Sequence, residues 1–221
     1  MRAWLRRRAG TAAARVAAGV VAWLVALLPA LPGGAQEQAA PTVSAEQALA
    51  ALQEALRYVE AGVPYKLGGK ATVQQYLALK EQDPQAAAAA GVDASGIVVN
   101  AYRAVLPDLT LYAGPPELGR TASYVTSEAL FRYNTVPVPL EQVRPGDLLF
   151  FRSPGGDTIT GVGLVSAVSG RIVRVVVASA SRGRVVDIGI DTRGDYWARS
   201  VAGLGRLVYQ PGAAAPAAAQ P

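Results

Sequence analysis

The sequence changes character at RPGDLLFF, residues 144–151. Pro145-Gly146 is a turn signal, and the residues after it form short β-branched or aromatic runs that Gly, Ser and Asp interrupt. Each run is too short for a typical helix and has the composition of a strand. The runs predict strands at residues 148–151, 159–168, 171–178, 184–188 and 204–209.

Upstream of this stretch the apolar residues recur at helical spacing. Ser44 with Gln47 three residues later forms a capping box, and the apolar periodicity continues to Val59, before Gly62. Residues 72–80 and the alanine run 86–90 read as helical or irregular. Another helix should begin near Ala94. Helices followed by consecutive strands indicate an α+β domain, with helices packed on a mostly antiparallel sheet of five to six strands.

The first 35 residues have the three parts of a secretory signal. They carry five arginines and no acidic residue, then an apolar run at residues 16–28 and small residues at Gly33-Gly34-Ala35. The run is shorter than the roughly 20 residues of a usual spanning helix, which favours export over an uncleaved anchor. We therefore expect a signal peptide over 1–35, a linker over 36–43, the folded domain over 44–209 and a disordered Ala/Pro tail over 210–221.

Those five arginines account for the whole formal charge of +5, so the rest of the chain is formally neutral. The basic excess therefore does not indicate a nucleic-acid partner. The leader, if uncleaved, is the one predicted contact with a membrane. The chain of 221 residues also has no cysteine and no histidine, which excludes disulfides and thiol chemistry. We expect no cofactor and no metal, because only scattered carboxylates remain as ligands.

Three motifs resemble those of the NlpC-type cell-wall peptidases, a family of papain-like cysteine hydrolases. They are PYKLGGK at 64–70, GVDASGIV at 91–98 and RPGDLLFF at 144–151. GVGLV at 161–165, VAS at 177–179 and YW at 196–197 continue the match in the same order. The resemblance implies the papain-like NlpC fold and a relationship to enzymes that cut the peptide stems of peptidoglycan.

The resemblance places the three catalytic functions at Ala94, Gly161 and Val177. The nucleophile of the family begins a helix, where the dipole and unpaired N–H groups stabilise a thiolate. Here that residue is Ala94, while Gly161 stands for the general base and Val177, within one or two residues, for the group that orients it. Because a methyl group cannot attack a carbonyl, the chain is predicted to be a pseudoenzyme rather than an enzyme.

Tyr65, Asp93 and Ser95 are the predicted ligand-binding residues. Tyr65 matches a tyrosine that lines the family's cleft, although a half-buried tyrosine also anchors loops. Asp93 either caps the helix or holds a ligand amine, and Ser95 could instead satisfy the helix start. We also expect residues 71–90 to pack beside or over the vestigial cleft.

Three functions remain open at this stage. The chain could be an exported, inactive domain that binds peptidoglycan stem peptides or an envelope protein, in the periplasm, the envelope or outside the cell. It could be a hydrolase with Ser95 as replacement nucleophile, activated by Lys66 or Lys70. It could also be a purely structural envelope subunit.

Overall fold

The computed structural model describes residues 41–209 of the chain, with six α-helices and six strands in that range. The helices are α1 (Ala45–Ala61), α2 (Val73–Gln82), α3 (Pro84–Ala89), α4 (Ala94–Val105), α5 (Ser127–Tyr133) and α6 (Asp195–Ser200). The strands are β1 (Thr135–Pro137), β2 (Leu148–Arg152), β3 (Ile159–Ser169), β4 (Ile172–Ser179), β5 (Arg184–Asp191) and β6 (Val201–Leu207).

All six strands belong to one sheet in the order β1-β6-β2-β3-β4-β5, and every neighbouring pair is antiparallel. Strands β2 to β5 follow one another as a meander, because short turns connect them. The prediction of an α+β fold, with N-terminal helices on an antiparallel sheet of five to six strands, is confirmed. The sequence did not predict the short elements α5, β1 and α6.

Helix α1 begins and ends where the sequence predicted. The side chains of Ser44 and Gln47 each bond the other's backbone N–H, which completes the capping box. At the other end Gly62 has a φ of 69°, a left-handed conformation that suits glycine. The apolar spacing had included Leu49, but this side chain is 46% exposed. Small residues provide much of the buried face instead: Ala48, Ala51 and Ala55.

Both faces of the sheet are covered, and β4 shows the alternation clearly. Val176 and Ala178 belong to the main core, together with residues of α1 and α4. Val173, Val175 and Val177 belong to a second apolar cluster. Since successive side chains of a strand point to opposite faces, this cluster lies on the face away from those helices. Only strand side chains on the face that carries the helices can therefore approach the start of α4.

The first and last described residues pair with each other. Val43 N–H donates to Leu207 O at 3.0 Å, and Tyr209 N–H donates to Pro41 O at 2.8 Å. The predicted signal peptide, most of the predicted linker and the predicted tail lie outside the described residues. Within residues 41–209, no helix combines the length and apolar character required to cross a bilayer.

Candidate functional site

A cavity of about 440 Å³ opens at the N-terminal end of α4. It lies between the loop that precedes α2, the start of α4, the segment leading into α5 and the beginning of β3. Its lining residues are Tyr65, Leu67, Gly68, Lys70, Asp93, Ala94, Ser95, Tyr124, Val125, Thr126, Ser127, Ile159 and Thr160. We call this cavity the α4 pocket. It contains four of the six residues that the sequence singled out.

Close approach of backbone segments builds the α4 pocket. A Cβ added at Gly69 would lie 2.4 Å from Gly91 O, and one added at Gly96 would lie 2.7 Å from Gly69 O. Glycine at these positions therefore lets the 64–70 loop pack directly on the residues that start α4. Asp93 N–H donates to Gly69 O at 3.1 Å and fixes that contact. The glycines of both N-terminal motifs thus serve the geometry of the pocket.

Asp93 caps α4. Its Oδ1 accepts a hydrogen bond from Gly96 N–H at 2.6 Å and another from Ser95 Oγ at 3.0 Å. Asp is a preferred N-cap residue because its carboxylate satisfies N–H groups that lack a partner within the helix. Of the two roles considered for Asp93, the structure shows capping, and Ser95 uses its hydroxyl proton on the same carboxylate.

Lys70 is the second partner of Asp93. Its Nζ lies 3.2 Å from Oδ1 and 3.0 Å from Oδ2, and 5.2 Å from the centre of the Tyr124 ring. The side chains of Lys70 and Asp93 are 34% and 14% exposed, so the pair is partly screened from solvent. No local pattern predicts this pairing, because 23 residues separate the two positions. Among residues 41–209, Lys70 and Asp93 are the only charged side chains that line the α4 pocket, and they are paired with each other.

Ala94 is the first residue of α4 and lines the α4 pocket, half-buried. Tyr65 also lines the pocket and packs partly against the core, while its backbone N–H donates to Gly183 O at 2.9 Å. Its backbone anchors the loop, and its side chain borders the cavity. Tyr65, Asp93, Ala94 and Ser95 are thus brought together.

Gly161 and Val177 do not line the pocket. A Cβ added at Gly161 would lie 3.5 Å from the ring of Phe151, a residue that packs on the second cluster. Val177 is a member of that cluster, on the face of the sheet away from α4. A shift of one residue along β4 leads to Val176 or Ala178, both of them apolar. A shift of two residues, the full range of the sequence-based assignment, leads to Val175 or to the hydroxyl-bearing Ser179.

Four polar residues that line the pocket were not predicted from the sequence: Tyr124, Thr126, Ser127 and Thr160. Thr126 Oγ1 accepts from Ala129 N–H at 3.1 Å and caps α5. The threonine before Ser127-Glu128 was an available signal for this helix start. Tyr124 had no comparable signal. Its position depends on its hydroxyl, which donates to Asn100 Oδ1 at 2.7 Å.

Glu128 connects α5 to β3 beside the pocket. Its Oε2 accepts from Ile159 N–H at 2.7 Å, and its Oε1 accepts from Arg132 Nε. The hydrogen bond from Arg132, and then the one from Ile159, lower the pKa of the Glu128 carboxyl. These hydrogen bonds hold Ile159, and with it Thr160, in the lining of the pocket.

Residues 71–90 were expected to pack beside or over the cleft, and none of them lines the α4 pocket. The two ends of this segment contact residues next to the pocket. Lys66 Nζ donates to Ala89 O at 2.7 Å, and Asn100 Nδ2 donates to Ala71 O at 3.2 Å. The segment therefore adds no side chain to the wall of the pocket.

The lining residues can bind but are poorly suited to covalent chemistry. The chain has no thiol and no imidazole, and Ala94 has no reactive atom. Within the described part of the chain, no three acidic residues gather where they could hold a metal ion. What the α4 pocket does offer is a mixture of hydroxyl groups, aromatic rings and one ion pair.

Comparison with known proteins gives similarity in structure only. No family model matches the chain, and no curated protein matches it. The chain is similar to a crystal structure of a lipoprotein-like protein of the NLP/P60 family from Staphylococcus aureus. In that match the identity is 20% and the TM-score 0.48, over 79% of this chain and 45% of the other.

Two further solved structures are similar. An NlpC/P60 family protein from Bacillus cereus matches with 18% identity and a TM-score of 0.44, over 76% of this chain and 41% of the other. NlpC1 from Trichomonas vaginalis matches with 16% identity and a TM-score of 0.47, over 77% and 47%. The chain spans less than half the length of each of these structures.

Proposed function

We propose that this chain is an exported, catalytically inactive NlpC-like domain that binds peptidoglycan stem peptides in the α4 pocket. One observation carries the proposal: Ala94 occupies the first position of α4 in a pocket that is still open. The resemblance of three motifs to the NlpC-type peptidases supplies the class of ligand. The basic, apolar and small-residue parts of the leader support export.

Loss of catalysis follows from the groups around Ala94. Nucleophilic catalysis needs an activated nucleophile and a base within hydrogen-bond reach. Ser95 is the nearest hydroxyl, but it donates to the carboxylate that caps α4. Lys70 Nζ, as an ammonium paired with Asp93, has donors and no lone pair with which to accept a proton. The only base in contact with the Ser95 hydroxyl among the described residues is therefore a carboxylate, a much weaker base than the imidazole that usually activates a serine.

Binding remains possible because the pocket keeps its size and its polar groups. Pockets for small ligands measure about 300–1,000 Å³ and are mostly apolar, with a few placed polar groups. The α4 pocket lies in this range, with hydroxyl groups on Ser95 and Thr126. Leu67, 83% exposed at the pocket wall, offers an apolar surface to a ligand that extends outward.

Two assays on the purified protein test the proposal. Incubation with isolated peptidoglycan should release no new amino groups, and Ser95→Ala should give the same result as the wild type. Sedimentation with peptidoglycan should carry the protein into the pellet. Ala94→Leu, which fills the pocket, should abolish this binding. The same change at Ala104, an exposed position of the same helix, should leave it intact.

Each alternative function predicts a different result. Amine release that disappears in Ser95→Ala would establish a serine hydrolase and overturn the proposal. Sedimentation that persists in Ala94→Leu would place binding outside the pocket. A chain that never sediments would be an envelope subunit or the partner of an envelope protein.

A further inference from the structure

We infer that Lys70 makes the α4 pocket selective for peptides whose amino terminus is acylated, and against peptides with a free amino group. The inference rests on the proposed function, since it concerns which stem peptides the pocket accepts. It comes from the three groups that already surround the carboxylate of Asp93.

Both oxygens of Asp93 are in use. Oδ1 accepts from Gly96 N–H at 2.6 Å, from Ser95 Oγ at 3.0 Å and from Lys70 Nζ at 3.2 Å. Oδ2 accepts from Lys70 Nζ at 3.0 Å. A carboxylate offers about four lone-pair sites. Three contacts fall on Oδ1 and one on Oδ2, so a ligand amine would find a free lone pair only on Oδ2, beside the Lys70 ammonium that is already bound there.

Lys70 is held in place by more than its charge partner. Its Nζ lies 5.2 Å from the centre of the Tyr124 ring, a cation–π distance. The ring is itself fixed, because its hydroxyl donates to Asn100 Oδ1 and the guanidinium of Arg103 lies 5.6 Å from its centre. Moving Lys70 aside for an amine would break its contacts with both Asp93 and Tyr124.

The ion pair also sets the local charge. Lys70 and Asp93 neutralise each other, and no other charged side chain in the described part of the chain lines the pocket. A ligand ammonium would find no uncompensated negative charge there and would approach the Lys70 ammonium, a like charge. An amide brings no charge of its own. Its carbonyl can accept from an N–H of Lys70 that is not used on Asp93, since an ammonium has three donors.

Calorimetry with one synthetic stem tripeptide in two forms, N-acetylated and with a free amino terminus, tests the inference. We expect the wild-type protein to bind the acetylated form at least about tenfold more tightly. Lys70→Met keeps an unbranched side chain on Tyr124 but removes the ammonium. It should lose this preference or favour the free amine, because Asp93 is then available. Lys70→Arg should keep the preference for the acetylated peptide.

Two further variants make the result specific. Lys66→Met removes the other lysine of the same loop, which binds Ala89 O and does not line the pocket, and should behave as the wild type. Asp93→Asn keeps a good N-cap residue and removes the anion, so discrimination against the free amine should increase. Thermal unfolding of each variant establishes that it is folded.

The possible results distinguish failure of the inference about Lys70 from failure of the proposed binding function. Equal affinity for the two peptides, or a preference for the free amine, in the wild type overturns the inference and leaves the binding function standing. A preference that is unchanged in a folded Lys70→Met variant overturns the role of Lys70. Failure of the wild type to bind either peptide overturns the proposed function and the inference with it.

Discussion

Arg206 donates two hydrogen bonds to the buried carboxylate of Asp147, from Nε to Oδ1 at 2.9 Å and from Nη2 to Oδ2 at 2.8 Å. Asp147 follows the Pro145-Gly146 turn, and Arg206 lies in β6, so the pair joins the turn before β2 to a neighbouring strand. Arg144 N–H also donates to Oδ2, at 2.9 Å. The motif that marks the change from helices to strands is thus anchored through its aspartate.

Removing that carboxylate should destabilise the fold strongly. Asp147→Ala leaves the guanidinium of Arg206 without its anion, and breaking a buried pair on one side costs about 3–5 kcal/mol. Urea unfolding of the purified protein measures the loss. Asp187→Ala is the control, because its partner Arg174 is 49% exposed. It should cost about 1 kcal/mol or less. Equal losses in the two variants would contradict a special role for the buried pair.

Gly146 should tolerate no side chain. Its φ is 90°, and an added Cβ would lie 2.2 Å from Ala48 O in α1. Gly146→Ala should therefore lower the free energy of unfolding by more than the backbone strain of the alanine alone would, because the added Cβ also clashes with α1. Gly170→Ala is the matched control, with a φ of 57° and no atom within 4 Å of the added Cβ, and should cost about 1–2 kcal/mol. If the two variants lose the same free energy of unfolding, α1 can move away from residue 146 at little cost, which would contradict this prediction.

The link between Glu128 and Ile159 should make stability depend on acid. Because the fold lowers the pKa of Glu128, its ionised form stabilises the protein above the ordinary glutamate value of about 4.3. That contribution is lost as the pH falls through the lowered pKa. Glu128→Gln should thus reduce stability near pH 7, by less than about 1 kcal/mol because the ion pair is partly exposed. The difference from wild type should shrink towards pH 3.

Unfolding free energies measured from pH 7 to pH 3 check this prediction. Arg132→Met should flatten the pH dependence as well, because the hydrogen bond from Arg132 is the largest cause of the lowered pKa. A difference between Glu128→Gln and the wild type that stays constant over the whole range would contradict the prediction.

Introducing a thiol at Ala94 should give a reactive cysteine but no hydrolysis. In Ala94→Cys the sulfur would lie at the N-terminus of α4 near Lys70, where a thiolate is favoured. In Ala104→Cys it would lie in the last turn of the same helix, where the dipole disfavours a thiolate. Iodoacetamide at pH 7 should alkylate the first variant about tenfold faster. Neither should release amines from peptidoglycan, because the chain has no imidazole to act as the base. Amine release by Ala94→Cys would reveal a different base.

The sequence predicted those elements whose signals are local. The capping box of Ser44 and Gln47 gave the start of α1, and the β-branched runs gave the five long strands. Strand β1 was missed because three residues ending in Pro137 carry no pattern, and they become a strand only by pairing with β6. Helix α5 has seven residues and a single side-chain cap. Tertiary contacts determine such short elements more than local preference does.

The candidate site was predictable in part, for the same reason. The residues contributed by two contiguous motifs, Tyr65 and the run from Asp93 to Ser95, came together as expected. Gly161 and Val177 depend on which face of a strand they occupy. Gly161 pairs with Phe151 in the regular register of β2 and β3, and the register shift at Phe151/Arg152 lies beyond it, towards Ile159. A single-residue shift moves a side chain to the other side of a sheet, and no local pattern fixes it. The pairing of Lys70 with Asp93 likewise needed the fold.

The pairing between residues 41–43 and 207–209 has a mechanical consequence. The segments 41–43 and 207–209 run antiparallel, so residues 41 and 209 lie at the same end of the paired region. A force that pulls on the chain before residue 41 and after residue 209 would act on the hydrogen bonds between the two segments one at a time, starting from that end. It would not act on all of them at once. The two terminal segments would therefore separate at low force, while the central strands and the α4 pocket stay folded.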